Sequence, residues 1–215
     1  MILITDSDKA RRDTVAEMFY YMGILARSVK PEDVMREIGC RYSALLFTSV
    51  DFRGASELAA NVRELGMATV AAISDEPRED FELTFPRGAY SAGIVAKIST
   101  YRAMRGLHPL GRYECMGIDA SADRPAPTYL GEPLPLTRTE AMILRCLIIN
   151  YPDAVTPSDV LKYAFRGSRV PELSSVRTHI SIMNKKFRAA TGHALTEAAG
   201  KVGYRLYSAR TAVSV

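Results

Sequence analysis

Residues 174–188, SSVRTHISIMNKKFR, carry the side chains with the most legible chemistry in this chain. At about 100° per residue, Val176, Ile180, Met183 and Phe187 fall on one narrow apolar stripe. Ser174, Thr178, Ser181 and Lys185 lie opposite, with Ile182 and Arg188 at the edges. Small hydroxyl side chains let a helix approach closely and cations meet phosphate, so this face suits insertion into the DNA major groove. Thr178, Ser181 and Lys185 are the leading groove contacts. Ser174 or Ser175, at the helix start, can donate to a phosphate beside the backbone N–H groups. Arg177 and Lys186 flank the groove face, and His179, at the edge of the stripe, reads as structural. Downstream, residues 202–207 (VGYRLY) follow a Gly-Lys turn and read as one strand of a β-hairpin wing, with Lys201 placed for phosphate or the minor groove. An ordinary amphipathic helix shows a similar pattern, so the weight must come from its surroundings.

Charge supplies part of that weight. Residues 1–106 hold 14 Lys/Arg against 15 Asp/Glu, whereas residues 107–215 hold 14 against 9. Between positions 174 and 205 there are six basic residues (Arg177, Lys185, Lys186, Arg188, Lys201, Arg205) and one acid, Glu197. A local excess of this kind attracts a polyanion through counterion release. No run of about eighteen apolar residues occurs, and MILITDSD turns acidic after four residues, so neither a membrane span nor a signal peptide is expected and a cytoplasmic protein is implied. Cys40, Cys115 and Cys146 show no C-x-x-C spacing and read as structural thiols. His108, His179 and His193 have no partner at ligand spacing, so neither a metal nor a cofactor is expected.

The elements that position these residues fall into two groups. Residues 1–5, 25–29, 43–47, 69–73 and 81–85 read as short strands, alternating with helices over 8–22, 31–38, 55–65 and 92–105. In the first helix Ala10, Val15, Met18, Phe19 and Met22 are expected to face inward. Buried strands alternating with helices indicate a parallel sheet covered on both faces. Only residues 75–80 separate the fourth and fifth strands, too few for a helix and two turns. Residues 107–112 form a linker. Short strands around 113–118 and 127–136 follow, then helices over 138–150 and 157–165. The first of these opens on Thr137 with Glu140 three residues later, a capping box.

In that context residues 136–150 (LTRTEAMILRCLIIN) resemble the LTxTExxLLxxL opening helix of OmpR/PhoB-class response regulators. Residues 158–165 (SDVLKYAF) resemble its second helix, residues 176–187 (VRTHISIMNKKF) its VDVHISRLRKKL recognition helix, and VGYRL its closing strand. Arg177 stands where the family commonly has Asp, and Ile182 and Asn184 replace frequent arginines. The first half resembles the receiver domain in element order, but its chemistry is missing. The resemblance implies an acceptor Asp where Thr48 stands, paired acids where Asp6 and Ser7 stand, a switch hydroxyl at Ser74, and a Lys where Phe85 stands. Thr48 offers Mg²⁺ no carboxylate and Phe85 cannot neutralise a phosphoryl group. Asp51, three residues past the strand, is the one other acceptor to weigh.

The expectation is therefore a flavodoxin-like α/β receiver domain (residues 1–106), degenerate in its phosphoacceptor site, a linker (107–112), and an α+β winged-helix domain (113–215). Its expected work is transcription regulation on double-stranded promoter DNA, without catalysis, as a bacterial homodimer joined through residues 1–106. Of the apolar positions Ile94, Val95, Ile98, Tyr101 and Met104, part must cover the sheet, and the remainder, with the surface that the lost helix uncovers, is the expected interface. The resemblance further implies an RNA polymerase contact through residues 166–173. Two alternatives stand: a phosphorylation-switched regulator with an unusual acceptor, and a regulator sensing a small ligand or protein in the vacated pocket, near Phe47 and Phe85.

Overall fold

Four consecutive apolar residues that begin the chain have no polar face to give to water, so they can only form a strand covered on both sides. In the computed structural model, which describes residues 1–39, 41–165, 172–200 and 202–207, that strand is β1 (Ile2–Thr5), buried throughout. The chain divides into two compact units, Met1–Arg112 and Tyr113–Val215.

In the first unit β1 lies between β2 (Ala26–Val29) and β3 (Ala44–Phe47), followed by β4 (Thr69–Ile73) and β5 (Leu83–Phe85). All five are parallel, in the order β2-β1-β3-β4-β5. The helices are α1 (Lys9–Tyr21), α2 (Val34–Glu37, entered through a 3₁₀ turn at Pro31–Asp33), α3 (Ala55–Glu64) and α4 (Ser91–Met104). This is the flavodoxin-like doubly wound order, whose switch point lies between β1 and β3, so the residues just past those two strands share one crevice.

Two features, on α1 and on α4, depart from the sequence pattern, and one, the link between β4 and β5, follows it. On α1 the buried residues are Arg12, Ala16, Phe19 and Tyr20, whereas Ala10 and Met18 are exposed. Arg12 takes the inward place because its guanidinium donates to the carbonyls of Asp6 (3.2 Å) and Ser7 (3.3 Å) at the end of β1. Between β4 and β5 there is no helix. Instead Phe81 lies edge-on against Phe47 at 5.0 Å, and Phe47 stacks on Phe52 at 6.0 Å. Phe47 therefore fills core. On α4 only Ile94, Ile98 and Arg102 are buried; Val95 and Tyr101 are half-buried and Met104 is 82% exposed. Arg102 binds the carbonyls of His108 and Ser43, and Leu110 N donates to Ser99 Oγ, which holds residues 108–110 against the first unit.

The second unit opens with four two-residue antiparallel strands, β6 (Glu114–Cys115), β7 (Ile118–Asp119), β8 (Thr128–Tyr129) and β9 (Glu132–Pro133). Then come α5 (Arg138–Asn150), α6 (Pro157–Ala164) and α7 (Leu173–Thr191), and the hairpin β10 (Thr196–Ala199) and β11 (Gly203–Leu206). Thr137 Oγ1 accepts from Glu140 N while Glu140 Oε2 accepts from Thr137 N, completing the capping box at α5. Three packed helices followed by a hairpin make this unit a winged helix. Val155 exchanges both backbone hydrogen bonds with Tyr204, which pins the hairpin to the turn before α6. A Cβ at Gly203 would stand 2.0 Å from the Val155 carbonyl oxygen, so only glycine permits that approach.

Candidate nucleic-acid interface

The face of α7 that can meet a ligand is decided by the face it buries. Val176, Ile180, Met183 and Phe187 are its buried residues, and α7 packs on α5 and α6. Arg177, Thr178, Ser181, Ile182, Lys185 and Arg188 are exposed. Between α7 and the hairpin runs a groove of about 400 Å³, lined by Arg177, Ile180, Ser181, Asn184, Lys185 and Arg188 from the helix and by Thr196, Ala198 and Tyr204 from the strands. Three cations and no carboxylate line it. Among the described residues Arg177, Lys185 and Arg188 form no ion pair, so their charge is open to an external anion. Within the hairpin Arg205 is already paired, its Nε 2.6 Å from Glu197 Oε1 on the facing strand.

Several of the expected contacts sit elsewhere. Lys186 turns away from the groove: its ammonium donates to Glu140 Oε2 at 2.7 Å, and it is only 28% exposed. Lys186, expected to flank the groove face, is here the partner of a nearly buried carboxylate. Burial pushes the Glu140 carboxyl up, but hydrogen bonds from Lys186 and Thr137 outweigh it and hold the group below its ordinary range. The helix begins one residue earlier than its sequence pattern suggests, with Glu172 as N-cap. Ser174 Oγ donates to Glu172 Oε2 at 3.2 Å, so its hydroxyl is engaged, and Ser175 is half-buried. His179 packs edge-on against Phe165 at 5.5 Å. Lys201 and residues 166–171 of the expected polymerase-contact loop lie outside the described residues, as does Cys40. Among the described residues Cys115 and Cys146 form no disulfide, and burial raises the pKa of Cys115.

Asn184 is the residue that the sequence pattern does not single out. Its Oδ1 accepts from Leu195 N (3.1 Å) and Thr196 N (2.9 Å), and its Nδ2 donates to Thr196 Oγ1 (2.9 Å). One side chain thus fixes the first strand of the hairpin against the helix and sets the width of the groove.

In the first unit, the crevice past β1 and β3 holds Asp6, 1% exposed. Thr48 Oγ1 donates to its Oδ2 at 2.5 Å, Arg11 Nη1 to the same oxygen at 3.2 Å, Asp8 N to Oδ1 at 2.8 Å, and Ser7 Oγ to Oδ1 at 3.4 Å. Both carboxylate oxygens are thereby engaged from within the chain, one of them by the Arg11 guanidinium. Phe85 is buried at the end of β5 with Lys97 Nζ 5.5 Å from its ring centre. Ser74 N donates to the Phe85 carbonyl and its Oγ accepts from Glu76 N. Asp51 lies on the exposed rim, bonded to Ser49 Oγ and paired with Arg87, which also pairs with Asp75. Among the described residues no group of three or more His, Cys, Asp or Glu is arranged to hold a metal ion, and no helix is long and apolar enough to cross a membrane.

Solved structures similar to this chain include the Thermotoga maritima response regulator DrrB, an OmpR/PhoB homologue, at 16% identity and a TM-score of 0.41, covering 96% of this chain and 98% of that one. The DNA-binding domain of the response regulator AdeR, solved in complex with an intercistronic region, matches 43% of this chain and 96% of its own at 22% identity and a TM-score of 0.39. A streptococcal redox sensor that evolved from two-component response regulators matches at 14% identity and 0.40, covering 96% and 98%. No protein-family model and no curated protein matches the chain. The fold assignment itself stands on the strand order, the three-helix packing and the hairpin.

Proposed function

We propose that this protein is a sequence-specific, double-stranded-DNA-binding transcription regulator whose receiver-like unit does not transfer phosphate and works instead in dimerisation or partner binding. The observation that carries the DNA-binding reading is the exposed face of α7. Arg177, Lys185 and Arg188 line a groove against the hairpin with no internal counter-charge, while the opposite stripe is buried. A helix of α7's diameter fits the major groove, and the hairpin beside it reaches the flanking phosphates.

The Asp6 crevice supports the loss of phosphotransfer. Thr48 supplies a hydroxyl in place of a carboxylate, and Arg11 neutralises Asp6 directly. Phe85 leaves no ammonium from β5 to meet a phosphoryl group. Tyr90 and Met104, 85% and 82% exposed at opposite ends of α4, support a pairing surface on the first unit.

The decisive experiment is titration of fluorescent duplex DNA with the unmodified full chain at several salt concentrations, with sedimentation of the same protein at micromolar concentration. Binding that weakens steeply with salt, by a dimeric species, is the expected result. Failure to bind duplex at low salt overturns the reading. Incubation with acetyl phosphate and Mg²⁺ is expected to leave the intact mass unchanged. A gain of one phosphoryl group that disappears in Asp51→Asn would establish the phospho-switched alternative.

A further inference from the structure

Once internal commitments are subtracted, the reading face of α7 keeps the free cations Arg177, Lys185 and Arg188 and, between them, an apolar spot of methyl groups, while its one amide is withdrawn. Asn184, whose side chain could read adenine by two hydrogen bonds, has its Oδ1 and one Nδ2 hydrogen committed to Leu195 and Thr196. Lys186 is held by Glu140, and the Ser174 hydroxyl by Glu172. Thr178 Oγ1 donates back to the Ser174 carbonyl at 3.2 Å, one turn earlier, so on this exposed residue the hydroxyl is committed and the methyl is not. Ile182 follows one turn on, 38% exposed in the midst of hydroxyls and cations. Residues four apart on a helix are surface neighbours, so the Thr178 methyl and the Ile182 side chain form one apolar spot, bordered by Ser181 and Lys185.

An exposed branched aliphatic on an otherwise polar ligand-facing surface loses free energy in water unless the ligand covers it. In the major groove the one apolar group on a base edge is the 5-methyl of thymine. We infer that Thr178 and Ile182 read thymine by contact with its methyl group. The inference rests on the DNA-binding reading of the same helix. It gives that helix a base identity: thymine at the centre of the footprint, with Lys185 and Arg188 supplying the backbone charge.

The test uses the full chain and a random-sequence duplex library to obtain a bound sequence. Each thymine in it is then replaced singly by uracil, which removes the methyl and keeps every hydrogen-bonding group. One or two positions are expected to lose about fourfold in affinity, the effect of one buried methyl. Ile182→Ala is expected to bind thymine and uracil duplexes alike at that position, at the affinity the wild type shows for uracil. Thr178→Ser, which keeps the hydroxyl, is expected to reduce the same preference. Thermal melting of both variants, unchanged from wild type because both sites are exposed, separates this from misfolding. Equal wild-type affinity for thymine and uracil duplexes overturns the inference while leaving DNA binding intact, as does a selected site lacking thymine or a full preference retained by Ile182→Ala. Absence of any duplex binding overturns the underlying reading instead, and is distinguished by the missing salt-dependent titration.

Discussion

Replacing Asn184 by alanine removes one acceptor that serves two backbone N–H groups and one donor that serves a hydroxyl. Leu195 and Thr196 are 3% and 5% exposed, so water does not readily replace the lost carbonyl. A buried donor left unpaired costs about 1–3 kcal/mol, and two share this acceptor, so Asn184→Ala is expected to destabilise the second unit by about 2–6 kcal/mol. Asn184→Asp keeps an oxygen facing both N–H groups and accepts from Thr196 Oγ1, and is expected to recover more than half of that loss. The assays are denaturant unfolding of the full chain and amide exchange resolved at Leu195 and Thr196. Faster exchange at those two amides, with the protection of α5 kept, is the expected signature of a hairpin released from the helix. DNA affinity is expected to fall while the dependence of log affinity on log salt stays as in the wild type, because no phosphate contact is removed. Unchanged protection at both amides, with a stability change under about 0.5 kcal/mol, the level of an inert surface substitution, would refute the clamp.

Lys185→Ala and Arg188→Ala are each expected to weaken duplex binding on every sequence and to flatten the log–log salt slope by about one unit, measured by the same titration. Glu140 is held below the ordinary carboxylate range when folded, so its contribution is present at neutral pH and is lost as pH falls through its folded pKa. Melting of the second unit is therefore expected to drop on acidification below about pH 4, and Glu140→Gln to flatten that drop while lowering the neutral-pH melting temperature. Thr48→Asp, which restores an acceptor-type carboxylate, is expected to lower the melting temperature by crowding a second negative charge against Asp6. It is also expected to take up no phosphoryl group from acetyl phosphate, since Phe85 remains and Arg11 still occupies Asp6.

What the sequence makes legible here is what a single element decides. MILIT, SALLF and TVAAI are runs with no polar side to expose, and they become β1, β3 and β4. The stripe Val176, Ile180, Met183 and Phe187 is buried because its spacing leaves the helix no other way to pack. The absence of a helix between β4 and β5 follows from chain length alone. The misses share another cause. Arg12 is buried and Met18 exposed on α1, against the rule that charge faces water, because carbonyls at the end of β1 accept from the guanidinium. Lys186 leaves the groove for Glu140, forty-six positions earlier in the chain. Asn184 is taken up by a strand that lies beyond the helix end.

Each of these is a polar partnership between residues that periodicity treats as independent, and each removes a side chain from the surface that periodicity would assign to it. The same rule applies to both candidate sites. In the crevice, Arg11 and Thr48 both donate to Asp6 Oδ2, so that oxygen is engaged from within the chain. On α7, the commitments of Asn184, Lys186 and Ser174 leave Arg177, Lys185, Arg188, Ser181, Thr178 and Ile182 as the surface a partner meets. In the first unit internal bonds engage Asp6, whereas on α7 they set apart the side chains left exposed. A substitution that releases Lys186, such as Glu140→Gln, therefore does more than weaken a helix cap. It returns a cation to the α7 surface, and non-specific duplex affinity at low salt is expected to rise even as the unit loses stability. If affinity and stability fall together, Lys186 has no path to the groove, and the division between internal and ligand-facing cations on α7 must be redrawn.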